Sequence, residues 1–233
     1  MKAPTSSISR KNLTEPRSYV VRSGRITSSQ KKSVQTLWAE YGIDLEKEQS
    51  NFKKIFGFKK RILVEIGFGS GESLLYLAKN YKNFSFLGIE VYLSGIGSVL
   101  RRAKKQGIQN LKIINGDAQR AFENFIEKGS IEVIIILHPD PWPKRKHHKR
   151  RLLNESFIEN VHKVLKKGGC FYIKTDWQEY SEIIQKKIEK SQNWSKMEEG
   201  ELPSVLNSIP NSKYEIKALE RGEKVRALIY KKN

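Results

Sequence analysis

The chain has 233 residues, long enough for one substantial core with a small appendage, and its 44 Lys and Arg outweigh 25 Asp and Glu by a net charge of +19. That imbalance favours a polyanionic partner, nucleic acid or an anionic surface. A single cysteine, Cys170, excludes a disulfide framework and a cysteine-based zinc site, four scattered histidines lack metal-ligand spacing, and no apolar run approaches the ~20 residues of a membrane span. A protein with no metal and no membrane association, acting in the cytoplasm, is therefore expected.

The first segment, residues 1–32, carries eight Lys or Arg and one acid, Glu15, together with scattered Ser and Pro. It has no apolar h-region of the kind a secretory signal needs. A basic, flexible arm is expected there, followed by a single domain over 33–233.

From residue 61 the pattern becomes regular. "RILVEIG" predicts a buried strand, "ESLLYLAKNY" a helix, and "FSFLGIE" a second strand. "SGIGSVLRRAKKQG" predicts a cationic-faced helix stopped by Gly107, "LKIINGD" a third strand, and "AQRAFENFIEKG" a helix ending at Gly129. "IEVIIILH" is the most apolar strand and is expected at the centre of the sheet. "NESFIENVHKVLKKGG" predicts an amphipathic helix with a double-glycine stop, then come a strand "CFYIKTD" and a helix "WQEYSEIIQKKIEKS". "VRALIYKK" reads as a last strand, antiparallel at or beside an edge. Strands alternating with helices at this spacing predict a doubly wound α/β sheet.

Ligands of such sheets lie at the carboxyl ends of the strands. After the first strand comes "EIGFGSGE", with Gly67, Gly69 and Gly71 preceded by Glu65. A dinucleotide fingerprint would require a third glycine where Glu72 stands, which argues against a nicotinamide dehydrogenase. An acid beside this turn suits a cationic ligand, such as an aminoacyl group bearing a sulfonium. Glu90 ends the second strand, where it could accept both ribose hydroxyls, and Asp117 follows the third, where it could accept from an adenine amino group. Each acid alone could equally cap a helix or sit in a solvated turn; three in succession at strand ends point to a nucleoside cofactor.

This set resembles the class I S-adenosylmethionine-dependent methyltransferases, across roughly residues 61–231. The resemblance implies a mostly parallel seven-stranded Rossmann-like sheet with helices on both faces, and S-adenosylmethionine as cofactor. After the fourth strand, "PDPWPK" and the basic "RKHHKRR" resemble the signature of the tRNA (guanine-N7)-methyltransferases. "VRSGRITSSQKKSVQTLWAEYGI", "KTDW" and "SKYEIKALERGEKV" are similar to further segments of that family, in the same order. Two positions depart from it: Ser212 stands where Thr is common, and His138 where Phe or Ser is more usual.

The resemblance implies methylation at N7 of guanosine-46 in the variable loop of tRNA. It implies Glu65, Gly67, Gly69, Gly71, Glu90, Asp117 and Asp140 at the cofactor, with Asp140 also at the catalytic centre. Lys144, Asp176 and the stretch Ser212, Lys213, Tyr214 and Glu215 are implied at the substrate. Lys146, His147, His148, Lys149, Arg150 and Arg151 are implied at RNA. The alternatives are a methyltransferase for another RNA base and a non-catalytic RNA-binding protein on the same fold. Monomer and homodimer both remain open.

Overall fold

A computed structural model describes residues 18–19, 26–45, 52–57 and 61–233. Most of the expected basic arm lies outside the described residues. Its last part does not behave as an arm, because helix α1 (Ser28–Tyr41) begins five residues before the expected boundary. Thr27 caps it: its hydroxyl accepts from Gln30 N at 3.2 Å while its own N–H donates to Gln30 Oε1 at 2.9 Å. This reciprocal pair satisfies two donors that the first turn would otherwise leave open.

One sheet organises the chain. Its strands are β1 (Gly42–Ile43), β2 (Arg61–Ile66), β3 (Phe84–Glu90), β4 (Leu111–Asn115), β5 (Ile131–Leu137), β6 (Leu165–Thr175), β7 (Trp194–Lys196) and β8 (Arg226–Lys232), ordered β1-β4-β3-β2-β5-β6-β8-β7. The pairings from β1 to β6 are parallel, and β8 runs antiparallel to both β6 and β7. Among the described residues the sheet thus has eight strands, not the expected seven. The addition is two-residue β1, which the chain lays along β4 on leaving α1.

The helices between strands are α2 (Phe52–Phe56), α3 (Glu72–Asn80), α4 (Leu93–Lys105), α5 (Ala118–Asn124), α6 (Glu155–Val164), α7 (Gln178–Glu189) and α8 (Lys213–Glu220). Strand periodicity splits the core in two: Ile62, Val64 and Ile66 of β2 pack with Phe157 of α6 and Ile184 of α7, while Leu63 packs with Leu74 of α3 and Val99 of α4. Covering both faces explains why the strands read as continuous apolar runs. Helix α1 seals the α4 side. At Gly97 of α4 an added Cβ would stand 2.4 Å from the Gln30 carbonyl, so glycine permits the two helices to approach.

The double-glycine helix stop is corrected. α6 ends at Val164, and Leu165 already pairs with Ile131 as strand. Gly168 turns through φ 74° within a register shift, so the glycines serve the strand entry. β5 lies between β2 and β6, as its apolar sequence predicts. The order reverses at β2, whose neighbours β3 and β5 begin the two wings of the sheet, and this switch point places the site.

Candidate active site

Glu65 sits on β2 just before the glycine turn, and only 1% of its surface is exposed. Ser73 in the first turn of α3 donates to its Oε1 at 2.5 Å, whereas Oε2 is buried and has no partner among the described residues. Burial pushes this carboxyl up to about 7; the Ser73 hydrogen bond opposes the shift, and the charges of Glu72 and Glu90 add to it. An unpaired buried acceptor of this kind matches a cationic group. Gly71 caps α3 in the left-handed region at φ 74°, and a Cβ there would meet Val99 at 2.2 Å.

Glu90 at the end of β3 is committed to the same turn. Its Oε2 accepts from Gly69 N at 2.9 Å, and its Oε1 from Val91 N at 2.7 Å and Tyr92 N at 3.0 Å. A carboxylate offers about four acceptor positions. Three are taken here by backbone N–H groups that fix the turn. Gly95 of α4 went unnoticed in the sequence. A Cβ there would stand 2.3 Å from the Gly69 carbonyl, so its hydrogen lets α4 close on the turn. Its signal was the second glycine pair, "SGIG". A cleft of about 450 Å³ opens here, lined by Gly69, Glu90, Tyr92, Ser94, Gly95 and Lys213, among others.

Asp117 caps α5, accepting from Arg120 N at 3.3 Å. Burial raises its carboxyl above the ordinary value, against those backbone hydrogen bonds and the Arg120 charge. The Arg120 bond goes to Oδ1, and the Gln119 backbone also stabilises the carboxylate.

The loop after β5 carries Asp140. Two residues beside it, His138 (φ 50°) and Trp142 (φ 45°), occupy the left-handed region without being glycine. Such backbone is costly, by about 1–3 kcal/mol per residue, and persists where surrounding contacts dictate it. His138 is held by its N–H, which donates to Lys174 O at 2.7 Å. Trp142 donates from Nε1 to Ser18 O at 3.3 Å, with the Arg150 guanidinium 4.1 Å from its ring centre and His147 edge-on at 5.7 Å. Asp140 between them is exposed and has no hydrogen-bond partner among the described residues. Crowding by neighbouring protein atoms raises its carboxyl above the ordinary value, and the Arg150 charge pulls the other way.

The basic run folds as a 3-10 helix, Arg145–Arg150, with Lys144 at its start. Lys144, Arg145, Lys146 and Lys149 are exposed, and His147, His148 and Arg150 are half-buried. Arg150 donates to Tyr19 O at 2.7 Å. Arg151 departs from the expectation: it is 3% exposed and bound to Pro141 O and Glu179, so its guanidinium is not offered to RNA.

The remaining substrate candidates divide. Ser212 caps α8 by accepting from Glu215 N at 3.1 Å, and Lys213 and Tyr214 beyond it are exposed. The Tyr214 ring lies 6.2 Å from that of His138. Glu215 itself is buried and ion-paired with Lys174 of β6, which withdraws it from the surface where substrate contact was expected. Asp176 does not cap α7, whose N-cap is Trp177; it faces His138 Nδ1 at 3.3 Å and Arg221 at 3.7 Å. Among the described residues no group of three His, Cys, Asp or Glu could hold a metal ion, and no helix is long and apolar enough to cross a membrane.

The C-terminal ends of β2 to β6 therefore gather a cleft with acidic residues, an exposed carboxylate and a cationic surface. The family described as "Putative methyltransferase" matches residues 59–228. A tRNA (guanine-N(7)-)-methyltransferase of Nitrosococcus oceani is 39% identical over 217 residues, covering 93% of this chain and 90% of its own. Another, from Buchnera aphidicola subsp. Schizaphis graminum, is 40% identical over 222 residues, covering 94% and 92%. Among solved structures, the 16S rRNA methyltransferase KamB aligns with a TM-score of 0.57 at 13% identity, over 79% of this chain and 93% of that one, a likeness of fold. By sequence match along nearly its whole length, the chain belongs to the tRNA (guanine-N7)-methyltransferase family.

Proposed function

We propose that this protein transfers a methyl group from S-adenosylmethionine to N7 of guanosine-46 in the variable loop of tRNA, acting in the cytoplasm. The observation that carries the reading is Asp140: an exposed carboxylate just after the central strand, without a hydrogen-bond partner among the described residues, with the glycine turn on the neighbouring strand and four exposed cations following it.

S-adenosylmethionine, when bound, supplies an electrophilic methyl group on a sulfonium. The residues present fit it. Glu65 Oε2 is a buried acceptor suited to a cationic aminoacyl end, Glu90 keeps about one acceptor position for a ribose hydroxyl, and half-buried Asp117, just after β4, is placed to accept from an adenine amino group.

Neutral guanine has a lone pair and no proton at N7, so the enzyme needs no base to expose the nucleophile. What the protein supplies is orientation and stabilisation of positive charge building on the purine. Asp140 serves both, accepting from guanine N1–H or the N2 amino group and offsetting the developing cation. Lys213 borders the cleft from α8, exposed Tyr214 follows it beside His138, and the two are the substrate contacts on that side. Asp176 and Glu215 act through His138 and Lys174, holding the ends of β5 and β6. Lys144, Arg145, Lys146 and Lys149 neutralise tRNA phosphates.

The test is methyl transfer from labelled cofactor to unmodified tRNA, followed by digestion and separation of nucleosides. Label in 7-methylguanosine supports the reading. Label in another nucleoside makes this an enzyme for a different base, and binding of tRNA and cofactor without transfer makes it a binding protein.

A further inference from the structure

Arg151 ends the basic run in sequence, but its side chain turns inward. Nε donates to the Pro141 carbonyl at 2.6 Å, and the two terminal nitrogens donate to Glu179 Oε1 at 3.1 Å and Oε2 at 2.7 Å. The guanidinium carbon lies 4.7 Å from the ring centre of Tyr180, itself buried, whose hydroxyl accepts from Leu153 N at 3.2 Å. One planar group therefore ties three things together: the residue next to Asp140, the first turn of α7, and the chain entering α6.

The loop so tied has His138 and Trp142 in left-handed backbone. That conformation needs external fastening. Trp142 is fastened by Arg150 and Ser18, and Pro141 by Arg151. A lysine could not replace this contact, because a single ammonium cannot span a carbonyl and both carboxylate oxygens in one plane.

We propose that Arg151 is a positioning residue for the methyl transfer: it fixes the Pro141 carbonyl and so sets the Asp140 carboxylate against the guanine. The proposal rests on the guanine-N7 reading above. It divides the basic run into two tasks. Lys144, Arg145, Lys146 and Lys149 face outward to phosphate, and Arg151 faces inward to the loop.

The experiment compares Arg151→Lys and Glu179→Gln with the full-length wild type, measuring kcat, KM for tRNA, cofactor affinity, and the slope of log affinity for tRNA against log salt. Lys149→Ala is the control for a phosphate contact, expected to shrink that slope by about 0.7–0.9. The expected result for Arg151→Lys is a kcat at least tenfold lower, with KM, the salt slope and cofactor affinity within twofold of wild type. Glu179→Gln weakens the same clamp from the other side and keeps the test alive if Arg151→Lys fails to fold; it should lower kcat with the same unchanged slope. Wild-type kcat in a folded Arg151→Lys protein would overturn the proposal, as would a slope reduced like that of Lys149→Ala. A fall in thermal stability and cofactor affinity with kcat per folded enzyme unchanged would make the clamp merely structural and also overturn it. An active wild type with any of these three outcomes refutes the positioning alone, whereas a wild type inactive on tRNA refutes the reading beneath it.

Discussion

Replacing Glu65 by Gln removes a charge that the free protein holds at a cost and that the cofactor is expected to use. Burial, with the charges of Glu72 and Glu90 adding to it and the Ser73 hydroxyl opposing, carries the carboxyl from 4.5 up to about 7. A carboxyl whose folded value lies above its unfolded one binds more protons when folded. Its stabilising contribution is complete below pH 4.5 and is lost as the pH rises to about 7. At 1.36 kcal/mol per pH unit the decline amounts to roughly 3 kcal/mol. Glutamine keeps the shape and cannot ionise, so the difference in unfolding free energy between variant and wild type should grow by that amount from pH 4.5 to pH 8. Binding runs the opposite way. If the ionised Oε2 receives the cofactor's ammonium, wild-type affinity for S-adenosylhomocysteine should rise about tenfold between pH 6 and pH 8. In Glu65→Gln it should be flat, and weaker at pH 8 by roughly 10- to 100-fold, the worth of one charge-assisted hydrogen bond. Denaturant titrations and calorimetry across that pH range measure both. Parallel pH profiles for the two proteins would refute the reasoning.

Four exposed cations at the 3-10 helix predict a salt slope for tRNA binding of roughly −3 to −4 from this surface, measured by fluorescence anisotropy; a flat dependence would remove the run from the RNA interface. Asp140→Asn should lower kcat by about 10²–10³, which single-turnover kinetics at saturating cofactor would show. Gly95→Ala forces a methyl towards the Gly69 carbonyl and should weaken cofactor binding more than it lowers thermal stability. Thr27→Ala breaks the capping box of α1 and should cost about 1 kcal/mol in chemical denaturation, with transfer kinetics unchanged.

The strands and the acids near their ends were readable because burial on both faces makes β2, β3 and β5 apolar runs, with Glu65 and Glu90 in the last two residues of β2 and β3 and Asp140 three residues after β5. Helix α1 was missed although its Thr27–Gln30 capping box is written in the sequence, because the surrounding cations and serines suggested an arm. β1 and β7 are too short for any periodicity, and only their pairing with β4 and β8 defines them. Arg151 was misread for a different reason. In sequence it is one more cation in a run. Its burial depends on Glu179, 28 residues later, arriving beside it on α7. The partners of Glu215 and Asp176 are equally invisible in local sequence: Lys174 lies on another element, and His138 meets Asp176 across the ends of two strands. Local pattern shows which groups could act; the tertiary partner decides which remain free to do so.

The most direct measurement of the central claim is methyl transfer to a pair of tRNA transcripts that differ at position 46, guanosine in one and adenosine in the other. The account predicts about one methyl group per molecule on the first, recovered as 7-methylguanosine, and none above background on the second. Equal transfer to both transcripts, or label in any other nucleoside, would contradict it.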